Sequence, residues 1–216
     1  MVNGIFIGFL EILTWGLFSY GLRKRFPNLQ DINCISYYWF MITILTFVWE
    51  YSYISDYNEI SQYANQLIEK EEHVWTNHYD LSYVLPWKLS KIFYTEYAAH
   101  ADREYMSDKN IWSRIIEGSH EWCCGLFALI ALISKYYLNH NLYLIAISVS
   151  MGTQFMNSLL YMINYFIQVK DPTNPNYNSS EFPLGFALKY RAFFWVNLCW
   201  LVFPFVILTN LIIHNV

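Results

Sequence analysis

The segment IWSRIIEGSHEWCCGLFALIALISKYYL, residues 111–138, decides how the chain is read. About 20 apolar residues in a helix span a ~30 Å hydrocarbon layer, and this stretch is long and greasy enough to do so, yet it carries Glu117. An acidic side chain at mid-helix costs roughly 2.5–3.5 kcal/mol even on insertion scales, so such groups ordinarily face a cavity, a partner or a substrate. Arg114 lies three residues before Glu117, His120 three after and Glu121 four after, so helical geometry projects all four from roughly one face. Two readings stay open. One is a buried ion pair between Arg114 and Glu117. The other is a carboxyl poised for proton transfer: desolvation and Glu121 favour its protonated form, and Arg114 or a charged His120 its carboxylate.

Working outward, the same length test finds four further spans, so the predicted set is 4–22, 34–54, 111–138, 142–169 and 183–213, with a long connection over 55–110. Composition agrees: of 216 residues, 56% are hydrophobic, 20% aromatic and 14% charged, which excludes an ordinary soluble domain. The expected fold is therefore all-α, a single polytopic membrane domain of five transmembrane helices around an intramembrane cavity. Glu50 sits near the end of the second span, beside Trp49 and Tyr51, and is either wetted at the interface or turned into that cavity. Glu11 in the first span reads as a helix-pairing or water-cavity residue. Asn197 and Trp200 share a face of the last span, and Gln154 and Asn157 a face of the fourth; such polar groups glue helices together at under about 1 kcal/mol each.

Arg23, Lys24 and Arg25 directly follow the first span and place that end in the cytoplasm by the positive-inside rule, so the N-terminus is expected in the lumen and the C-terminus in the cytoplasm. The first span lacks a basic leader and a small-residue cleavage site, so it is expected to remain as a helix. Asn178-Ser179-Ser180 is a glycosylation sequon in the fourth connection, usable only on the lumenal side. Cys34, Cys123, Cys124 and Cys199 all fall in predicted spans and read as small packing residues. Neither they nor Glu117-x-x-His120, a single copy of a spacing that di-iron bundles use in pairs, predicts a metal site. Net charge of −4 without a dense basic stripe argues against nucleic acid. Within the long connection, Trp87-Lys88-Leu89-Ser90-Lys91-Ile92-Phe93 reads as an interfacial helix, with Trp87 and Phe93 dipping into lipid or the segment capping a cavity.

Several runs carry a resemblance. Glu96-Tyr97-Ala98-Ala99-His100-Ala101-Asp102-Arg103-Glu104-Tyr105, then Asp108, Asn110 and Glu117, resemble the emopamil-binding protein family of sterol Δ8–Δ7 isomerases. So does Val196 to Pro204, which holds the Asn-x-x-Trp-x-x-x-Pro pattern, together with Trp39-Phe40 through Glu50 and Ser148 through Gln154 to Tyr161. The likeness covers roughly Tyr38 to Ile213. It implies an endoplasmic reticulum membrane protein whose helices enclose a sterol cavity and shift a ring double bond from C8–C9 to C7–C8. Matching positions make Glu50 and Glu117 the acid/base carboxyls, let Asn197 orient one of them or the sterol, and turn Trp200 toward the carbocation. Thr46, Trp49, Tyr105, Gln154 and Tyr161 are implied as substrate contacts.

The pattern departs from the family at three places, one of them the Asp-x-Arg-Tyr stretch, which has one extra residue and its arginine displaced to Arg103. Thr46 stands where the family has a His one turn before the first Glu, and His120 stands where it has a Thr. The two have exchanged walls on this reading, which adds His120 to the catalytic set. No cofactor is implied, since the proton removed balances the proton added. The expected partners are a sterol or sterol-like substrate and membrane lipid, with a homodimer allowed. The alternative is a non-catalytic sterol or cationic-amphiphile binder of the same superfamily. A transporter is disfavoured for want of an internal repeat or a broken half-helix pair.

Overall fold

The computed structural model describes residues 1–106, 111–177 and 191–215. The chain is mostly helical, at 80%, and among the described residues three helices are long and apolar enough to cross a membrane: Gly4–Arg25, Ile111–Tyr136 and Ala192–Ile213. In chain order the elements are β1 (Val2–Asn3), α1 (Gly4–Arg25), α2 (Cys34–Ser55), α3 (Tyr57–Lys70), β2 (His78–Tyr79) and α4 (Pro86–His100). They continue with α5 (Ile111–Ser119), a π-helical turn (His120–Gly125), α6 (Leu126–Tyr136), α7 (His140–Gln168) and α8 (Ala192–Asn215). The sequon at 178–180, Asp108, Asn110 and the first part of the fifth expected span, 183–190, lie outside the described residues.

Asparagines start three of the long helices. Asn3 Oδ1 accepts from the Phe6 amide at 2.9 Å, Asn33 Oδ1 from Ile35 at 2.9 Å and Asn139 Oδ1 from Leu142 at 3.1 Å, each satisfying an amide that the first turn leaves open. α1 ends on Arg23, Lys24 and Arg25, cations placed against the negative end of its dipole. Arg23 closes the turn that follows by donating to the carbonyls of Gln30 at 3.2 Å and Ile32 at 2.8 Å.

The mostly helical chain is compatible with the expected all-α class. It adds one two-residue strand pair, β1 antiparallel to β2, Val2 opposite Tyr79 and Asn3 opposite His78, which ties the N-terminus to the long connection. Gly4 sits hard against that connection: a Cβ there would lie 2.5 Å from the Val74 carbonyl oxygen.

The helix over 111–136 is not a uniform α-helix. A π turn at His120–Gly125 widens it where α2 approaches, and a Cβ on Gly125 would lie 2.3 Å from Phe47 Cβ, so only glycine permits this contact. The extra residue in the turn re-aims His120 relative to the α6 residues below it.

Two cores fill the bundle. One, around Tyr37, Phe40, Ala128, Ala146 and Met151, is assembled from α2, α6 and α7. The other draws heavily on the long connection, with Ile60, Leu67, Leu89, Ile92 and Tyr94 packed beside Tyr53, Tyr161 and Phe193. α4 thus belongs to the interior. Trp87 is exposed as the interfacial reading requires, but Phe93 is not a lipid anchor: it packs on Trp49 with ring centroids 5.0 Å apart. Of the cysteines only Cys124 is buried. Cys34 and Cys199 lie on outer helix faces, so packing does not explain them.

Candidate active site

Glu50 from α2 and Glu117 from α5 both turn inward onto one cavity, 4% and 9% exposed. Its wall also includes Thr46 and Trp49 from α2, His120 from the π turn, Tyr161 from α7, and Asn197 and Trp200 from α8, with Tyr105 closing it from the connection. The cavity is small, about 90 Å³, against the roughly 300–1,000 Å³ usual for small-molecule pockets. A larger apolar groove of about 510 Å³ between α1, α2 and α6 has no carboxyl or imidazole in its wall.

The hydrogen bonds around His120 assign its proton. Trp39 Nε1, which can only donate, bonds Gln154 Oε1 at 2.7 Å. That fixes the amide so that Gln154 Nε2 donates, to Thr43 Oγ1 at 3.3 Å and to His120 Nε2 at 2.9 Å. His120 Nε2 is therefore an acceptor, and the ring proton sits on Nδ1, from which it is donated to Glu50 Oε1. Trp200 meets the same imidazole edge-on, ring centroids 5.4 Å apart, and also packs on Trp39 at 4.8 Å. Gln154 was expected in the substrate wall; it lies behind His120, fully buried, and orients the imidazole instead.

Glu117 is held differently. Tyr94 donates its hydroxyl to Glu117 Oε2 at 3.2 Å. Arg114 does not reach it. Among the described residues no ion pair joins the two, because Arg114 faces outward with its guanidinium 3.4 Å from the Tyr57 ring centroid. The predicted common face of Arg114, Glu117, His120 and Glu121 is therefore split: Glu117 and His120 line the cavity, Arg114 is exposed, and Glu121 is buried outside the cavity wall. Glu50 Oε2 is buried and has no hydrogen-bond partner among the described residues.

Asn197 is placed at the wall but does not orient a carboxylate. Its Nδ2 donates to Tyr97 Oη at 2.9 Å and to the Phe193 carbonyl at 2.9 Å, so it positions Tyr97. Glu11 joins α1 to the site from outside, accepting from Trp49 Nε1 at 3.0 Å. Behind the cavity, Asp102 accepts from Tyr161 Oη at 2.6 Å and Asn176 Nδ2 at 2.7 Å. Burial pushes the Asp102 carboxyl above the usual range against those hydrogen bonds. Burial likewise pushes the Tyr94 and Tyr97 hydroxyls well above the tyrosine range, which leaves them as hydrogen-bond donors rather than bases.

Phe93 on α4 lines the wall, in keeping with the alternative that its segment caps a cavity, while Tyr94 and Tyr97 on α4 and Asn157 on α7 are wall residues that sequence reasoning missed. A usable signal was present for α4: Phe93, Tyr94 and Tyr97 recur at helical spacing in a segment that also holds three charges, a pattern that marks one buried face. Comparison with known proteins yields no relative: no family model, curated protein or solved structure matches the chain.

Proposed function

We propose that this chain is a sterol Δ8–Δ7 isomerase-like enzyme of the endoplasmic reticulum membrane, related to the emopamil-binding proteins. The observation that carries the reading is the meeting of two buried carboxyls, an oriented imidazole and an indole on one lipid-shielded cavity. A carboxyl proton is added to one carbon of a ring double bond, the positive charge is held at the adjacent carbon, and a proton is removed from the next carbon to restore the double bond one position along. Protons balance, so no cofactor is needed. Because His120 donates to Glu50, Glu50 is favoured as the carboxylate that removes the proton. Glu117 is then the acid that delivers one, and the Tyr94 hydroxyl, which donates to it, stabilises the carboxylate left behind. The Trp200 face and the Glu50 charge stabilise the cation, the former by about 2 kcal/mol once desolvated.

Five spans are part of the proposal: α2 and α7 are long enough to join the three most apolar helices. Two contacts support the implied topology. The β1–β2 pair keeps the N-terminus and the long connection on one side, and Asn28 Nδ2 donates to the Tyr136 carbonyl at 2.8 Å, keeping the first and third connections on the other. The N-terminus is assigned to the lumen and the C-terminus to the cytoplasm. A four-ring substrate needs several times the present cavity, so entry requires the aromatic walls of α4 and α8 to part.

The test is expression in cells lacking their own Δ8–Δ7 isomerase, with sterols separated by gas chromatography. Conversion by the wild type, and a loss of about 10²-fold or more in Glu50→Gln and in Glu117→Gln, supports the reading. Wild-type protein that binds a Δ8 sterol without converting it establishes the binding-protein alternative, and wild-type protein that does neither removes both.

A further inference from the structure

We infer that His73, Glu96 and His100 form a binding site for one divalent transition-metal ion, with zinc the best match, on the α3–α4 cap outside the cavity. The donor atoms of these three side chains all lie within 4.8 Å of one another. Glu96 and His100 stand four residues apart and so share a face of α4. His73 is brought to them by the turn that ends α3, where Glu71 adopts a left-handed conformation at φ 54°. A side chain larger than glycine is uncommon there, and the turn it makes delivers both His73 and the Glu72 carbonyl to α4.

His100 Nε2 lies 3.0 Å from the Glu72 carbonyl oxygen, which can only accept, so Nε2 carries the proton and the lone pair of the ring is on Nδ1. Metal-binding histidines are held this way, their other ring N–H given to a backbone carbonyl. The Val74 amide donates to Glu96 Oε2 at 3.0 Å, anchoring the carboxylate and turning Oε1 toward His73. A proton joins His73 Nδ1 to Glu96 Oε1 at 2.6 Å, and an ion replaces that proton. Bonds of about 2.0–2.2 Å in tetrahedral geometry separate two ligand atoms by roughly 3.4 Å, so His73 must swing out by under about 1 Å. Its half-exposed side chain permits this.

Two imidazoles and one carboxylate suit zinc and its neighbours, whereas magnesium and calcium prefer oxygen ligands alone. Glu69, Glu71 and Glu72 in the same run add negative charge nearby. The ion pins the turn after α3 to α4, the helix that supplies Tyr94 and Tyr97 to the cavity, and water completes its coordination.

The test uses the full chain, tag-free in detergent and stripped with chelator, titrated with Co²⁺ as a spectroscopic probe and with Zn²⁺ in thermal unfolding. The expected result is a visible Co²⁺ d–d band that saturates at one ion per chain and is displaced by Zn²⁺, with Zn²⁺ raising the melting temperature. His73→Ala and Glu96→Gln should each weaken binding by at least about 10-fold, whereas His78→Ala, in the same connection but outside the cluster, should leave it unchanged. Absence of the band in wild type, or a band of equal affinity in His73→Ala and Glu96→Gln, overturns the inference whatever the isomerase assay returns.

Discussion

α1 and α4 invert the relation between greasiness and burial that holds in soluble proteins. α1 is one of the three most apolar helices, yet only 17% of its spanning stretch is buried, and Ile5, Phe9 and Leu17 point outward. α4 carries Lys88, Lys91 and Glu96 and is no candidate span, yet it buries Leu89, Ile92, Tyr94, Tyr97, Ala98 and Ala99. The middle helix, the least apolar of the three candidates, is 50% buried and bears the catalytic candidates. Lipid supplies an apolar surrounding on its own, so a lipid-facing side chain must be greasy without being packed. Interior positions are selected for fit and for satisfied hydrogen bonds.

Truncation should break or uphold that contrast most visibly. Ile92→Ala on α4 is expected to cost about 2–5 kcal/mol in detergent unfolding, while Leu17→Ala on α1 stays within about 0.5 kcal/mol; equal effects would end the distinction. Gln154→Leu tests whether the interior is selected for hydrogen bonds. It strands Trp39 Nε1 and His120 Nε2, buried groups worth about 1–3 kcal/mol each, and should lower the melting temperature together with turnover in the assay of the proposed isomerase activity. Gly125→Ala pushes a methyl into Phe47 and should cost about 1–3 kcal/mol, whereas Gly16→Ala on α1, where a Cβ meets open space, should be neutral or slightly stabilising.

The smallest effect sharpens the comparison through pH. The folded protein holds the Asp102 proton more tightly than the unfolded chain does. Its stabilising contribution is therefore full below about pH 3.9, the ordinary aspartate value, and is lost as pH rises through the raised folded value. Melting curves from acid to neutral pH should show the wild-type advantage over Asp102→Asn shrinking upward, and a growing advantage would reverse the assignment.

Much of the helix plan was readable. The predicted spans 34–54 and 142–169 correspond to α2 at Cys34–Ser55 and α7 at His140–Gln168, because a long apolar run is a local property. Glu50, Glu117, His120, Asn197 and Trp200 were each legible as polar or aromatic groups in greasy surroundings, and the fold brings all five to one cavity. The predicted face of Arg114, Glu117, His120 and Glu121 held only for Glu117 and His120, which share the cavity wall. Arg114 turned out to Tyr57, a partner on another helix that its own helix does not specify. Gln154 was misplaced because its partners Trp39 and His120 lie 115 and 34 residues away. His73 and Glu96 were unreadable as a pair for the same reason, being 23 residues apart across a turn.

The amino-acid order by itself determined that this is a mostly helical chain with helices long and apolar enough to cross a membrane, where those helices run, and that carboxyls lie within them; hydropathy and helix length act over neighbouring residues and need no tertiary partner. Tertiary structure alone decided that α4 enters the core, which side of each helix meets the cavity, which nitrogen of His120 holds the proton, and that three donors converge on the cap. Those outcomes depend on groups far apart in sequence satisfying one another's hydrogen bonds and packing, and no local pattern encodes which distant group will be there.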